Sequence, residues 1–406
     1  MKKIGIIGCG LRSNCYMIHL KEGLGKEWRV EGVADPNPDA RAYYTANYGI
    51  KDQVIREFST GSELIEQIGD KLDAVIIASP NSKHLESVVP AINNNYSILL
   101  EKPVATTAEG CKIMWETYKK GGRPPLLVGF VLRYTGFYRK AKELIESGEI
   151  GDILSIEANE MMGVPLTALF MRSWRRNSAI AGSIILEKCC HDMDLLNWFA
   201  DSIPARVSSF GSLTRFTPQP EAAANCRDCK IKERCRYNAE TIVPYSIGTL
   251  CQDTISKNDI CVFNGQKSII DHQVVNIEYE NGVLATFSLC ADQPGTNRSI
   301  KINGTNRQIV GDIDGNNMQV VHTEKYDDFN SYTKNIPIIH DNSGHCGGDS
   351  IISGQFKSML RADKTAANIV GLKEGIEACL VCFAAEESRL IGKIVEIKKL
   401  RNKIFG

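Results

Sequence analysis

The chain has 406 residues, more than one hydrophobic core usually serves, so its length predicts two domains. Its 48 basic and 48 acidic side chains balance, which argues against a nucleic-acid or membrane-surface partner and favours a small neutral or weakly charged ligand. Arg12 interrupts the first apolar stretch too early for a secretory signal, and no apolar run approaches the roughly 18 residues of a membrane span. We therefore expect a soluble, cytoplasmic protein.

Short apolar runs alternate with amphipathic stretches in the first third of the chain. Strands that are apolar on both faces and separated by helices are typical of a parallel sheet covered on both sides, the doubly wound α/β arrangement. Ligands of such sheets bind at the carboxyl ends of the strands. We assign residues 1–125 to this domain and residues 126–406 to a second, α+β domain. The apolar runs are residues 2–8, 29–35, 73–79, 97–103 and 125–133.

The turn after the first strand carries a dinucleotide-binding signature. Gly8 and Gly10 match the first two glycines of G-x-G-x-x-G, with a serine at the third position. Gly8 permits a tight turn, Gly10 lets a pyrophosphate approach the backbone, and the helix opening at Leu11 offers free N–H groups to that anion. Asp35 closes the second strand, where a carboxylate would bind a ribose and repel a 2′-phosphate. This favours NAD, while Arg12 beside the phosphates would leave NADP open.

Polar residues follow the next two long strands, at the same edge of the predicted sheet. They are Ser79, Pro80, Asn81 and His84 after the fourth strand, and Glu101 and Lys102 after the fifth. Together with the glycine turn, an R-Y-x-x-x-Y pattern at Arg133 and a later acid-x-x-x-His-x-x-Asp helix, these motifs resemble the glucose-fructose oxidoreductase, inositol dehydrogenase and rhizopine-catabolism family, Gfo/Idh/MocA.

The resemblance implies a Rossmann domain followed by a domain with a large, open, mostly antiparallel sheet. That sheet would carry the substrate face and a homo-oligomer interface, giving a dimer or tetramer. The implied activity is an NAD(P)-dependent hydride transfer between nicotinamide and a sugar, cyclitol or related alcohol. By the same resemblance, Arg133 belongs to the cofactor site and His84 lines the nicotinamide side, although a structural role for His84 at its helix start is an equal alternative.

The adjacent Glu101 and Lys102 then acquire a chemical interpretation. The ammonium of Lys102 could bind the substrate oxygen and stabilise developing alkoxide charge, while Glu101 held the lysine or a ribose. Because NAD⁺ is itself positive, we expect Lys102 to titrate more easily than a surface lysine. The alternative is that the pair only begins a solvated loop.

A second group of candidates shares one face of the helix around residue 191. Glu187, His191, Asp194 and Trp198 are spaced so that helical rotation aligns them. The family has a histidine at the position of His191, acting as general acid or base, and an aspartate at that of Glu187. The longer side chain of Glu187 departs from that pattern, and a purely structural histidine is the alternative.

Three cysteines with basic neighbours lie in a segment too polar for a core. This spacing resembles half of a zinc or iron-sulfur ligand set, and the neighbouring basic side chains would favour thiolates. Because no fourth ligand completes the pattern, unliganded or redox-labile thiols are the favoured interpretation and a metal site is the alternative. The candidates are Cys226, Cys229 and Cys235, with Cys251 or Cys261 available as a fourth ligand. The surrounding residues 214–263 are predicted to be an insertion that frames the substrate cleft or a subunit contact.

The rest of the chain predicts a hairpin turning at Asn281 and Gly282, then two helices and a final strand over residues 393–400. Two other functions fit the same motifs. One is an NAD-dependent glycosidase that oxidises its substrate transiently, and the other is a non-catalytic NAD(P)-binding regulator.

Overall fold

The fold is built on two separate β-sheets. The computed structural model describes residues 1–242, 259–315, 317–322, 331–339, 344–362 and 369–406. Within these ranges no helix is both long enough and apolar enough to span a bilayer.

The first sheet has six parallel strands in the order β3-β2-β1-β4-β5-β6, the Rossmann order. Its central strands are buried throughout, as the continuous apolar runs predicted. The sixth strand lies just beyond the predicted boundary at residue 125, and the division into two domains stays a prediction. The strands are β1 Lys2–Ile7, β2 Trp28–Ala34, β3 Arg56–Phe58, β4 Ala74–Ile77, β5 Ser97–Leu100 and β6 Leu126–Val128.

Helices connect these strands, and side-chain caps set where several of them begin. The Thr60 and Thr107 hydroxyls accept hydrogen bonds from the free N–H groups of the first turns that follow them. The helices are α1 Leu11–Leu20, α2 Pro38–Tyr48, α3 Gly61–Ile68, α4 His84–Asn93 and α5 Ala108–Lys120.

The second sheet has nine strands in the order β14-β13-β12-β11-β7-β10-β9-β8-β15. All neighbours are antiparallel except β7 and β10, so the mostly antiparallel sheet is confirmed. The predicted hairpin is β9 and β10, with Gly282 at φ 88° in its turn. The strands are β7 Ile153–Gly163, β8 Pro204–Ser212, β9 His272–Tyr279, β10 Leu284–Gln293, β11 Asn297–Gly304, β12 Gln308–Asp312, β13 Asn317–His322, β14 Tyr332–Pro337 and β15 Val395–Glu396.

The predicted final strand is wrong over most of its length. Only Val395–Glu396 pair with β8, and a helix begins at Ile397. Ile397 and Ile404 are seven residues apart and both are buried, so these apolar residues lie on one face of a helix and not of a strand. The helices of this part are α6 Gly136–Glu146, α7 Val164–Arg172, α8 Ser178–Ala181, α9 Ile184–Ala200, α10 Gly348–Leu360, α11 Leu372–Ile391 and α12 Ile397–Phe405.

Candidate active site

The glycine turn between β1 and α1 has the geometry of a phosphate cradle. Gly8 has φ 89°, and a Cβ there would lie 2.5 Å from the backbone nitrogen of Ser79. A Cβ on Gly10 would meet nothing within 4 Å, so the space above this residue is open. The helix starting at Leu11 has no side-chain cap, which leaves its first N–H groups for a ligand. This turn fits the pyrophosphate of a dinucleotide.

Asp35 is fixed beside that turn, at the carboxyl end of β2. Its Oδ2 accepts a hydrogen bond from the N–H of Cys9 (2.9 Å), and its Oδ1 accepts one from the N–H of Asn37 (2.8 Å). The carboxylate is half-buried and held by the backbone, so its charge has a defined place. This arrangement fits the ribose contact expected from the sequence.

A cavity of about 470 Å³ separates the strand ends of the first sheet from the second domain. Predicted site residues from both parts of the chain meet on its wall. They are Arg12, Ser79, Asn81, Glu101 and Lys102 from the first domain, and Glu187 and His191 from α9. Leu11 also lines it, at the start of α1.

Lys102 reaches from the end of β5 to α9. Its Nζ donates a hydrogen bond to the backbone carbonyl of Glu187 (2.6 Å) and lies 3.6 Å from Oε2 of the same residue. Burial alone would lower the pKa of Lys102, but the Glu187 carboxylate raises it above the ordinary lysine value. This carboxylate acts against the easier titration that the sequence predicted for Lys102 beside NAD⁺.

Glu187 is contacted by Arg175, Asn81 and Lys102 in the buried wall of the cavity. Its Oε1 accepts from Nε of Arg175 (2.6 Å), and its Oε2 accepts from Nδ2 of Asn81 (2.9 Å). Burial favours the neutral acid, but Lys102 and Arg175 hold the pKa of Glu187 below its ordinary value. Glu187 is thus a carboxylate that orients Lys102.

His191 lies one helical turn after Glu187 and is only 7% exposed. Its ring packs edge-on against Phe130, with centroids 5.8 Å apart. Among the described residues, its Nδ1 has no hydrogen-bond partner. Burial, reinforced by the charges of Lys102 and Arg298, lowers the pKa of His191 well below the ordinary histidine value. His191 is therefore a neutral imidazole in the cavity wall, with its Nδ1 buried and unpartnered.

Arg12 corrects part of the cofactor argument. Its Nε donates to Glu101 Oε1 (2.8 Å) and its Nη2 donates to Asp349 Oδ1 (3.0 Å). Tyr16 also hydrogen-bonds to Glu101. The guanidinium therefore points into the cavity, away from Asp35, and gives no support to the tolerance of NADP that we had inferred from it.

Like Gly8, Gly10 and Asp35, three further residues that the sequence assigned to the cofactor site lie outside the cavity wall. His84 is buried with its ring nitrogens 2.8 Å from the Pro103 carbonyl and 3.0 Å from the Ser79 carbonyl, so it joins two loops. Pro80 lies directly before the short 3₁₀ turn that leads to His84. Arg133 forms a two-bond ion pair with Asp194, both contacts 2.6 Å.

The Arg133 pair also divides the polar face of α9. Trp198 stacks on the Arg133 guanidinium at 5.1 Å, so the second half of the face serves this pair and only Glu187 and His191 serve the cavity. A cofactor contact by Arg133 therefore stays a prediction without geometric support.

The sequence indicated that His345, in a G-H-C-G-G-D run before a helix, could face the cleft, but it assigned no role to Arg175, Lys188 and Arg298 in the cavity wall. Arg175 binds Glu187, and His345 pairs with Asp349. Lys188 Nζ lies 3.1 Å from Glu160 Oε1, and Arg298 Nε lies 2.7 Å from Glu160 Oε2 and 2.9 Å from Asp192 Oδ1. The G-H-C-G-G-D run was a usable signal for His345, whereas Arg298 sits in a strand with no local motif.

The metal prediction at the cysteine cluster is not supported. Within the described ranges, no three or more His, Cys, Asp or Glu side chains are arranged to hold a metal ion. Burial raises the pKa of Cys226, which opposes the thiolate that we expected. The basic neighbours pair with carboxylates instead: Lys232 with Glu240, Arg234 with Glu221 and Arg236 with Asp292. The thiols Cys226, Cys229, Cys235 and Cys261 do border one small void, while Cys251 lies outside the described residues.

The insertion is anchored to the back of α7. The buried Arg172 donates to the carbonyls of Ile260 (2.9 Å) and Tyr237, and to Sγ of Cys226 (3.4 Å). None of the insertion's described residues lines the cavity. The part of the insertion that the structure describes therefore supports α7, whose other residues Leu166, Leu169 and Phe170 form the apolar cavity wall.

Comparison with protein families agrees with this architecture. The family model described as "Oxidoreductase family, NAD-binding Rossmann fold" matches residues 2–130, and the GFO/IDH/MocA C-terminal domain model matches residues 138–310. The protein is thus an oxidoreductase of the NAD-binding Rossmann class. The chain belongs to the Gfo/Idh/MocA family.

Individual relatives are more distant. The Bacillus subtilis protein YteT is 25% identical over 380 residues, covering 86% of this chain and 87% of YteT. Inositol 2-dehydrogenase of Ralstonia nicotianae is 30% identical over 210 residues, so the match spans 50% of this chain and 57% of that enzyme.

Solved structures match over nearly the whole chain. Levoglucosan dehydrogenase in complex with NADH has a TM-score of 0.72 at 19% identity, covering 98% of this chain and 99% of that one. An oxidoreductase domain protein from Kribbella flavida has a TM-score of 0.74 at 18% identity, with the same coverage. At these identities the likeness establishes the fold.

Proposed function

We propose that the protein is an NAD(P)-dependent dehydrogenase that moves a hydride between nicotinamide and a hydroxyl-bearing carbon of a sugar, cyclitol or sugar derivative. The observation that carries this proposal is the meeting of Lys102 and His191 on one cavity, at the strand ends next to the glycine turn. The printed names of the relatives, inositol 2-dehydrogenase and levoglucosan dehydrogenase, point to the same substrate class.

Gly8, Gly10 and the start of α1 would hold the pyrophosphate, and Asp35 would hold the ribose. Bound NAD supplies the hydride acceptor for oxidation of an alcohol. We propose NAD as the preferred form, because the Asp35 carboxylate would repel a 2′-phosphate and Arg12 is engaged elsewhere.

In this proposal His191 is the general base. Its depressed pKa keeps the imidazole neutral at physiological pH, and a neutral imidazole has one ring nitrogen without a hydrogen that can accept the hydroxyl proton as the alcohol is oxidised. In the reverse direction the same nitrogen returns that proton to the oxygen.

Lys102 would stabilise the negative charge that develops on the substrate oxygen. Its raised pKa keeps the ammonium charged throughout, so it acts by electrostatics and hydrogen bonding and not by giving up a proton. Glu187 would position Lys102, and the carbonyl contact at 2.6 Å fixes the direction of its Nζ.

The test is a panel of alcohols with the purified protein and NAD. Myo-inositol, levoglucosan and D-glucose should be screened for reduced nicotinamide by absorbance, with NADP in parallel. Net NADH formation from a free polyol supports the dehydrogenase. Glycoside cleavage without net NADH would favour the transient-oxidation alternative, and NAD binding without turnover of any polyol would favour the regulator.

We also propose a homo-oligomer, a dimer or tetramer, through the second sheet. Phe210 of β8 and Val274 of β9 are cross-strand neighbours and are 69% and 42% exposed, so an exposed apolar pair lies on the outer face of this sheet. Light scattering should show Phe210→Glu shifted towards monomer, while Leu390→Glu on α11, equally exposed, leaves the mass unchanged. An unchanged mass for Phe210→Glu would contradict this interface. The cytoplasmic location stays a prediction.

A further inference from the structure

A second histidine stands beside His191 in the cavity. His345, in the loop before α10, has its ring centroid 6.4 Å from that of His191, with the planes tilted by 47°. This gap is too narrow for a sugar ring to lie between the imidazoles. It suits two hydrogen bonds of about 2.8 Å to oxygens on neighbouring carbons of one molecule.

The backbone that presents His345 is held in an uncommon conformation. His345 and Cys346 have φ 49° and Gly347 has φ 87°, so three consecutive residues are left-handed and two of them carry side chains. His345 and Cys346 each cost about 1 kcal/mol or more in this conformation, whereas glycine adopts it freely. Strain of this kind persists where the surrounding structure enforces it, most often at functional sites. Here the enforcing contacts are those of Asp349 and Arg12.

Those contacts fix which ring nitrogen of His345 carries the hydrogen. Nδ1 lies 3.0 Å from Oδ2 of Asp349, whose Oδ1 accepts from Arg12 (3.0 Å). Arg12 Nη1 also lies 3.4 Å from Nδ1, but the shorter contact to a charged oxygen favours Nδ1–H. Burial opposes ionisation, but the Arg12 guanidinium holds the pKa of Asp349 well below its usual range. Asp349 is therefore a carboxylate that accepts Nδ1–H, and Nε2 keeps its lone pair. A lone pair selects a ligand that donates a hydrogen, such as a free hydroxyl, over an ether or a carbonyl.

We propose that His345 binds the hydroxyl next to the one that reacts, so that the cavity selects vicinal diols. This inference rests on the proposed dehydrogenase function and names a substrate determinant within it. His191 would serve the oxygen that loses its proton, and His345 would accept a hydrogen bond from the neighbouring hydroxyl in both directions of the reaction.

The test pairs one change in the protein with one change in the substrate. The substrates are whichever of myo-inositol, levoglucosan and D-glucose turns over fastest, and its monodeoxy analogues. One analogue, lacking the hydroxyl next to the reacting one, should have kcat/KM lower by about 10- to 100-fold in the wild type. His345→Ala should lower kcat/KM of the parent by a similar factor and change that of this analogue by less than about threefold.

His272→Ala is the matched control, because His272 has a similar pairing, Nδ1 2.7 Å from Asp271, on a strand away from the cavity. His272→Ala should leave kcat/KM unchanged for both the parent substrate and its analogue. His345→Gln, which retains an acceptor oxygen, should recover part of the discrimination. NAD affinity should stay the same in all variants, which verifies that the first domain is intact.

Equal losses for parent and analogue in His345→Ala, or no loss at all, would overturn the proposal while leaving the dehydrogenase function standing. If the wild type transfers no hydride to any polyol, the dehydrogenase function fails separately, and calorimetric binding of myo-inositol and its monodeoxy forms to the NADH-loaded protein decides the recognition. Tighter binding of myo-inositol than of its monodeoxy form, seen only when His345 is present, supports the proposal. Absence of that difference, or of any binding, overturns it.

Discussion

Replacing Lys102 by methionine removes the charge and keeps most of the side-chain volume. A unit charge about 4 Å from a developing alkoxide contributes about 4 kcal/mol at an effective dielectric constant of about 20. Glu187 Oε2, 3.6 Å from Nζ, cancels part of this charge. We therefore expect the hydride-transfer rate to fall by about 10²- to 10³-fold, in the range seen when one oxyanion donor is lost.

The same variant should fold and bind NAD nearly as well as the wild type. Glu187 keeps its bonds from Arg175 and Asn81, so no carboxylate is left without a partner, and the proposed phosphate and ribose contacts lie elsewhere. We expect the free energy of unfolding to drop by about 1–2 kcal/mol, the cost of one polar contact. The hydride-transfer rate should therefore fall while the affinity for NAD stays nearly unchanged.

The assay is single-turnover hydride transfer followed by nicotinamide absorbance, with NAD affinity from fluorescence titration. Lys83→Met is the control, because Lys83 is 58% exposed and pairs only at the surface with Glu86 (3.0 Å). It should leave both quantities unchanged. Normal turnover in Lys102→Met would refute the electrostatic role and return Glu101 and Lys102 to the status of a loop beginning.

Three further predictions concern the cofactor, the pH dependence of stability and the insertion. Asp35→Ser should shift the NAD/NADP affinity ratio by about tenfold towards NADP, whereas replacing the exposed Asp39 of α2 by serine should leave the ratio unchanged. Fluorescence titration of both cofactors measures the ratio, and an unchanged ratio in Asp35→Ser would contradict the ribose role. Burial lowers the pKa of His84, so below about pH 6.5 the unfolded chain takes up a proton that the folded one refuses, and stability falls with pH towards the lower folded pKa. His84→Gln should flatten this fall by up to about 1.4 kcal/mol per pH unit in urea titrations, and equal slopes would rule the effect out. Arg172→Met should lower the free energy of unfolding by about 2–4 kcal/mol, because the buried carbonyl of Tyr237 and the partly buried carbonyl of Ile260 lose their donor. A change in urea midpoint worth less than about 0.5 kcal/mol would show that the anchor is unimportant.

Local patterns predicted the parts of the fold that depend on short stretches of chain. The parallel sheet followed from continuous apolar runs, and the glycine turn from residues within one strand-helix junction. The shared face of Glu187 and His191 followed from helical rotation, since four residues make about one turn. The last helix was missed although Ile397, Leu400 and Ile404 have the spacing of one helix face, on which Ile397 and Ile404 are buried.

The pairing of charges was beyond local reasoning. Arg12 and Asp349 are 337 residues apart, and Arg133 and Asp194 are 61 apart, so no spacing rule connects them. Which carboxylate meets which base depends on how two sheets and their helices are placed. For this reason the sequence predicted Lys102 as a site residue but not the Glu187 carboxylate beside it, and left Arg298 without a role.

Arg12 gives the two halves of the protein a shared component. It belongs to the helix that would receive the dinucleotide phosphates, yet its guanidinium holds Glu101 beside Lys102 and Asp349 beside His345. If binding at either end shifts this guanidinium, the affinities of the two ligands change by the same factor in both directions. The two parts of the chain are therefore not independently exchangeable. A chimera that replaced the first part by a homologous one would have to keep residues 12, 101 and 349 as a matched set, because Arg12 bonds both carboxylates.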